Sequence, residues 1–132
     1  MLTGGCQCGR VRYAAEGVPF NETACHCGQC RRSTGAPFAA WFTVKRDAMR
    51  WLGEAPRRYA SSPRAERGFC PHCGSSLTYE GRVHPDDLDL AMASLDVPDA
   101  LAVKDHLYVA DKLPWVRLAD GLPQYAGERE AG

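Results

Sequence analysis

The chain has 132 residues, and its sixteen basic and sixteen acidic side chains leave no formal net charge. That balance removes the broad electrostatic case for a nucleic-acid partner. No stretch approaches the roughly 18–20 apolar residues of a membrane span, and Met1-Leu2-Thr3-Gly4-Gly5 lacks the charged-then-apolar order of a secretory signal.

At this length one domain is expected, over residues 1–126, with a core of moderate size. Thirteen glycines and nine prolines call for many turns and short strands. The first feature along the chain is Cys6-Gln7-Cys8, whose sulfurs meet on one side only if a turn brings them together. Gly4, Gly5 and Gly9 offer the backbone freedom for that turn. Val11, Tyr13 and Ala15 then alternate with Arg10, Arg12 and Ala14, which predicts a half-buried strand.

Cys25-His26-Cys27-Gly28-Gln29-Cys30 follows, and a short helical turn after Cys27 brings its three sulfurs to one side. Phe38, Ala40, Phe42 and Val44 share one face of the next apolar segment, with Trp41 and Thr43 on the other. Arg46 to Met49 reads as a second short helical stretch. Gly53, Pro56, Pro63, Gly81 and Pro85 punctuate what comes after. In Cys70-Pro71-His72-Cys73-Gly74, Pro71 fixes φ and Gly74 can take a positive one, the pattern of a zinc knuckle.

Leu77 with Tyr79, and Leu88, Leu90 and Met92 against Asp87, Asp89 and Ala91, continue the period of two. Asp86, Asp87 and Asp89 read as a strand entrance and solvated edge. His106 with Tyr108 predicts a late strand, and residues 127–132 are expected to fray. The class is mainly β and antiparallel, with zinc-bearing turns at strand ends.

Seven cysteines cannot all pair within one chain, but they divide into four and three. A closed tetrahedral zinc site takes four thiolates, and a site with three protein ligands keeps one position for chemistry. Without a secretory signal a reducing, cytoplasmic setting is expected, where metal binding is favoured over disulfides. Spacing alone leaves open which clusters share a metal. Cys25 or Cys27 can join Cys70 and Cys73, and a histidine can close the middle cluster.

Gly4-Gly5-Cys6-Gln7-Cys8-Gly9, Cys25-His26-Cys27-Gly28-Gln29-Cys30-Arg31 and Phe69-Cys70-Pro71-His72-Cys73-Gly74 together resemble the glutathione-dependent formaldehyde-activating enzyme family, to which centromere protein V also belongs. The resemblance runs from Gly4 to about Trp115 and implies a β-tent of antiparallel sheets. It implies two zinc ions per chain. A structural one is held by Cys6, Cys8, Cys70 and Cys73, and a catalytic-type one by Cys25, Cys27 and Cys30. His106 and Trp115 match the family's late histidine and tryptophan, and His106 joins the candidate catalytic residues. Tyr108 stands where members commonly carry a tryptophan, and the extended basic region of a centromere-type member is absent.

The implied activity is that of a carbon–sulfur lyase similar to S-(hydroxymethyl)glutathione synthase. Its partners are a small thiol such as glutathione and an aldehyde, with no nucleic acid or membrane. Three thiolates weaken zinc as a Lewis acid toward water and favour sulfur chemistry. A zinc scaffold without turnover and a thiol redox or metal-handling protein are the other classes the cysteines serve.

Arg31 and Arg32 either offset the anionic zinc and receive a substrate carboxylate or lie on a solvated face. His26 is a candidate ligand or hydrogen-bond donor to one. His72 reads as an exposed knuckle residue, His84 as a turn residue, and Trp41, Trp51 and Trp115 as core or cleft aromatics.

Overall fold

A computed structural model describes residues 1–129. In chain order the elements are β1 (Leu2–Gly5), β2 (Arg12–Ala15), β3 (Phe20–Cys25), α1 (Gly28–Thr34), β4 (Ala39–Lys45), β5 (Met49–Trp51) and β6 (Arg57–Ser62). Then come β7 (Ala65–Phe69), β8 (Ser76–Gly81), β9 (Asp87–Ala91) and β10 (Asp105–Leu107). Among the described residues they form a three-stranded sheet, β1-β2-β5, and a seven-stranded sheet, β10-β3-β4-β9-β8-β7-β6.

The period of two sorts the large sheet into two faces. Phe42 and Val44 of β4 and Leu88 and Leu90 of β9 pack with Tyr13 and Ala15 of β2, and with Met92 and Leu95, into the main core. Burying such side chains contributes about 1.5–3 kcal/mol each against exposure. Tyr13 is fully buried, meets the edge of Trp51, and shares a 2.8 Å hydrogen bond with Ser94. Gly4 lies beneath it, where a Cβ would sit 2.3 Å from the Tyr13 hydroxyl oxygen. The residues between the core positions, among them Trp41, Thr43 and Asp89, turn to the opposite face and line a cleft.

The mainly β, antiparallel class is as expected, with the cysteine clusters in turns at strand ends. Four local expectations change. β10 runs parallel to β3 and ends at Leu107, and Tyr108 takes a left-handed backbone with φ 56°. The Arg46 stretch is a single 3-10 turn, Arg46–Ala48. Of the three glycines expected to free the first turn, only Gly9 has a positive φ, while Gly4 and Gly5 lie in β1.

The fourth concerns the segment expected to fray. Its last residues, 130–132, lie outside the described residues. Its first three are anchored. Gly127 accepts from the Tyr108 amide at 3.0 Å, Glu128 accepts from the Tyr108 hydroxyl, and Arg129 pairs with Asp105 at 2.6 Å. The segment before it adds a bridge from Gln124 to His106. Parallel β10, too short to stand alone, is thus held on both sides.

Candidate metal centres and the cleft

The turn before β2 and the turn before β8 bring Cys6, Cys8, Cys70 and Cys73 together, their sulfurs all within 4.8 Å of one another. Cys6 and Cys8 are 3.5 Å apart, Cys8 and Cys70 3.8 Å. Gly74 has φ 79°, and its amide closes the knuckle on the Cys70 carbonyl at 2.8 Å. The folded turns aim amides at sulfur. Val11 N–H donates to Cys6 Sγ at 3.3 Å, and the His72 and Cys73 amides each donate to Cys70 Sγ at 3.4 Å. Such donors favour thiolates. The Ser75 hydroxyl and amide pull the Cys73 thiol down to about 5. A set of four sulfurs, none in a disulfide, fits a thiophilic metal.

His72, exposed as expected, bridges Glu54 at 2.8 Å and Arg10 at 2.8 Å. It ties the knuckle to the loop before β2.

Cys25 ends β3, Cys27 caps α1 and Cys30 lies in its first turn, with the three sulfurs again within 4.8 Å. Cys30 N–H donates to Cys27 Sγ at 3.3 Å. The neighbouring Cys25 and Cys30 sulfurs, aided by the Cys30 and Gln29 amides, push the Cys27 thiol down to about 2. The Cys27 and Cys30 sulfurs, with burial, push Cys25 up. Cys30 is raised as well, so Cys27 carries the negative charge of the three, and this donor set also fits a thiophilic metal. Among the described residues no histidine or carboxylate joins the three. The clusters divide as four and three, and neither Cys25 nor Cys27 sits with the knuckle.

His26 points away from both clusters. It is fully buried against Phe38, and its Nε2 lies 2.9 Å from His106 Nδ1. His106 Nε2 lies 2.7 Å from the Asp120 carboxylate. The carboxylate can only accept, so His106 carries its proton on Nε2 and accepts from His26 Nε2–H. His26 Nδ1 is left as a buried acceptor without a partner. Burial, then His106 nearby, lowers the His26 pKa. His106, expected in the working site, is not among the cleft residues. It faces away from its neighbour Leu107, which does line the cleft.

The cleft has a volume of about 1060 Å³ and opens beside Cys25, Cys27 and Cys30. Four strands supply its floor in one register row: Thr43 opposite Asp89, Asp89 opposite Tyr79, Tyr79 opposite Arg67. Arg67 is 2% exposed, donates to Cys30 Sγ at 3.6 Å and to Ser33 Oγ at 3.0 Å, and stacks on Tyr79 and Trp41. Thr43 Oγ1 donates to Asp89 at 2.6 Å. Burial pushes the Asp89 carboxyl up to about 6 against that hydrogen bond. Asp89 is therefore no solvated edge, because the side opposite Leu88 and Leu90 is the cleft and not bulk water. Tyr108 closes one side with Glu128, and burial together with that carboxylate raises its pKa.

Arg32 lines the cleft, whereas the Nε of Arg31 is buried without a partner. Trp41 is a cleft aromatic and Trp51 a core one, but Trp115 is 67% exposed and belongs to neither. Reading the sequence missed the cleft positions of Arg67, Tyr79 and Asp89. Alternation signalled only Asp89, which stands between the core residues Leu88 and Leu90, while the neighbours of Arg67 and Tyr79 are polar residues and a glycine.

The sequence profile described as "Glutathione-dependent formaldehyde-activating enzyme" matches residues 1–111. A Schizosaccharomyces pombe protein named an uncharacterized lyase is 33% identical over 76 residues, 58% of this chain. The matched stretch spans 55% of that relative's length, about half. A crystallographically solved Rhodobacter sphaeroides protein, 24% identical, superposes with a TM-score of 0.58 over 93% of this chain and 98% of its own. That likeness establishes the fold. With the cysteine clusters gathered as four and three and the profile spanning most of the sequence, the chain belongs to the glutathione-dependent formaldehyde-activating enzyme family.

Proposed function

We propose that the cleft catalyses the reversible addition of a small, glutathione-like thiol to formaldehyde or a similar aldehyde, a carbon–sulfur lyase reaction. The observation that carries this reading is the open three-sulfur set of Cys25, Cys27 and Cys30 beside a cleft large enough for a tripeptide. In this reading Cys6, Cys8, Cys70 and Cys73 hold a structural zinc ion, and the three cleft cysteines hold a second. That second ion would supply a position at which a substrate thiol is kept as thiolate.

The remaining work falls to the chain. Net reaction joins the thiol sulfur to the aldehyde carbon and moves the thiol proton to the aldehyde oxygen, and the reverse breaks the same bond. Trp41 and Tyr79 give the cleft aromatic walls that displace water from the reacting groups. Arg32 and Arg64 line the cleft without an ion pair among the described residues, and are placed to receive the carboxylates of the thiol. His106 touches no substrate in this scheme. It orients His26, whose amide is bonded to Leu107 at 3.0 Å, and so fixes the peptide between Cys25 and Cys27.

Exchange spectroscopy with ¹³C-formaldehyde and glutathione tests the reaction. The protein should speed exchange between hydrated formaldehyde and the S-hydroxymethyl adduct, and Cys27→Ser should abolish the acceleration. Equal rates with and without protein would refute the reading.

A further inference from the structure

Arg67 is the one charged group in the cleft that is almost wholly buried and has no carboxylate within ion-pair distance among the described residues. A buried guanidinium cannot shed its charge, and leaving that charge uncompensated is strongly destabilising. Its compensation must come from what it touches. Those groups are Cys30 Sγ at 3.6 Å, the Ser33 hydroxyl at 3.0 Å, the Tyr79 ring at 4.9 Å and the Trp41 ring at 5.9 Å. Aromatic faces attract a cation only weakly, and the hydroxyl brings no charge. Among the groups it touches, only the cysteine sulfurs can carry a formal negative charge.

We propose that Arg67 is a positioning residue, the fixed counter-cation of the three-cysteine site, and that it selects an anionic over a neutral ligand for that site's open position. This rests on the reading of the cleft as an open three-thiolate metal site.

The charge arithmetic gives the reason. Three thiolates around a divalent ion carry one net negative charge, and a fourth, incoming thiolate makes two. In a site shielded from water by Trp41 and Tyr79, that second charge is repelled unless a cation stands beside it. Arg67 restores the balance from β7, across the sheet. Arg31 and Arg32, which follow Cys30 directly in sequence, make no hydrogen bond to the three sulfurs, and Cys30 takes its donor from Arg67 instead. A neutral ligand adds no charge and gains nothing from the arginine.

The test compares two probes on the cobalt-substituted protein, 2-mercaptoethanol, which binds as thiolate, and imidazole, which binds neutral. Binding is read from the cobalt absorption bands, with wild type, Arg67→Met and Arg67→Lys in parallel. Arg67→Met should weaken mercaptoethanol binding by about tenfold or more and leave imidazole within about twofold. Arg67→Lys should restore most of the loss. Should Arg67→Met not fold, Arg67→Gln takes its place, and the ratio of the two affinities is read in the same way.

Equal losses for both probes would mean that Arg67 only shapes the site, and no loss would mean that it does nothing there. Either result overturns the proposal. A wild-type protein that takes no thiol would instead refute the open-site reading itself, which keeps the two failures apart.

Discussion

Asp89 shows how one residue can carry a cost that the fold tolerates for the sake of a cleft. Its carboxyl titrates at about 6 instead of 3.8, because burial penalises the charge more than Thr43 relieves it. The native state therefore holds this proton more tightly than the unfolded chain. The associated stability is complete below pH 3.8 and is lost as pH rises through about 6. Asp89→Asn removes the effect. The variant should be more stable than wild type at neutral pH, with a margin that grows by about 1–2 kcal/mol between pH 5 and 7.5. Urea unfolding across that window, with metal occupancy held equal, checks it. A margin independent of pH would mean that Asp89 ionises as freely as a surface carboxylate.

Among the elements, the two turns that share the four-cysteine cluster matter most to folding. The turn before β2 belongs to the small sheet and the turn before β8 to the large one, so a metal between them would join the sheets at one end. Val11, Leu77, Cys6 and Cys70 form only a small apolar cluster there, which the metal would complete. Closing the long loop between Cys8 and Cys70 constrains the unfolded chain as well. Cys70→Ser should thus lower the melting temperature by more than 10 °C or give insoluble protein, while Cys27→Ser stays within a few degrees of wild type. Thermal unfolding of both variants decides this, and equal melting temperatures would contradict the division of labour.

The same elements show what was legible in the sequence. Alternation in β4 and β9 picked out the core positions, although the other face of β9 was read as a solvated edge, and the cysteines stood out as three tight groups whose sharing of a metal spacing alone left open. Which residues meet across strands was not legible. Arg67 reaches Cys30 only because β7, β8 and β9 align in one register, and no local pattern encodes that alignment. The parallel pairing of β10 was hidden for a similar reason. Three residues carry too little periodicity, and the contacts that hold them come from residues 120–129.

At the scale of the whole molecule, the two sheets enclose the apolar core on one face of the large sheet and leave its other face to the cleft. The core packing and the proposed chemistry thereby fall on opposite sides of the same strands. A balanced net charge fits this arrangement, since the site's charges are settled locally, sulfur against arginine and carboxylate against buried hydroxyl. Among the described residues no helix is long and apolar enough to cross a membrane.

The proposed function needs the cysteines to form one closed and one open metal site. Native mass spectrometry of the intact protein, with and without glutathione, counts both. Two zinc ions per chain and a glutathione adduct are expected, with Cys27→Ser keeping one zinc and losing the adduct. A single zinc in the wild type with no adduct, or an unchanged metal count in Cys27→Ser, would contradict it.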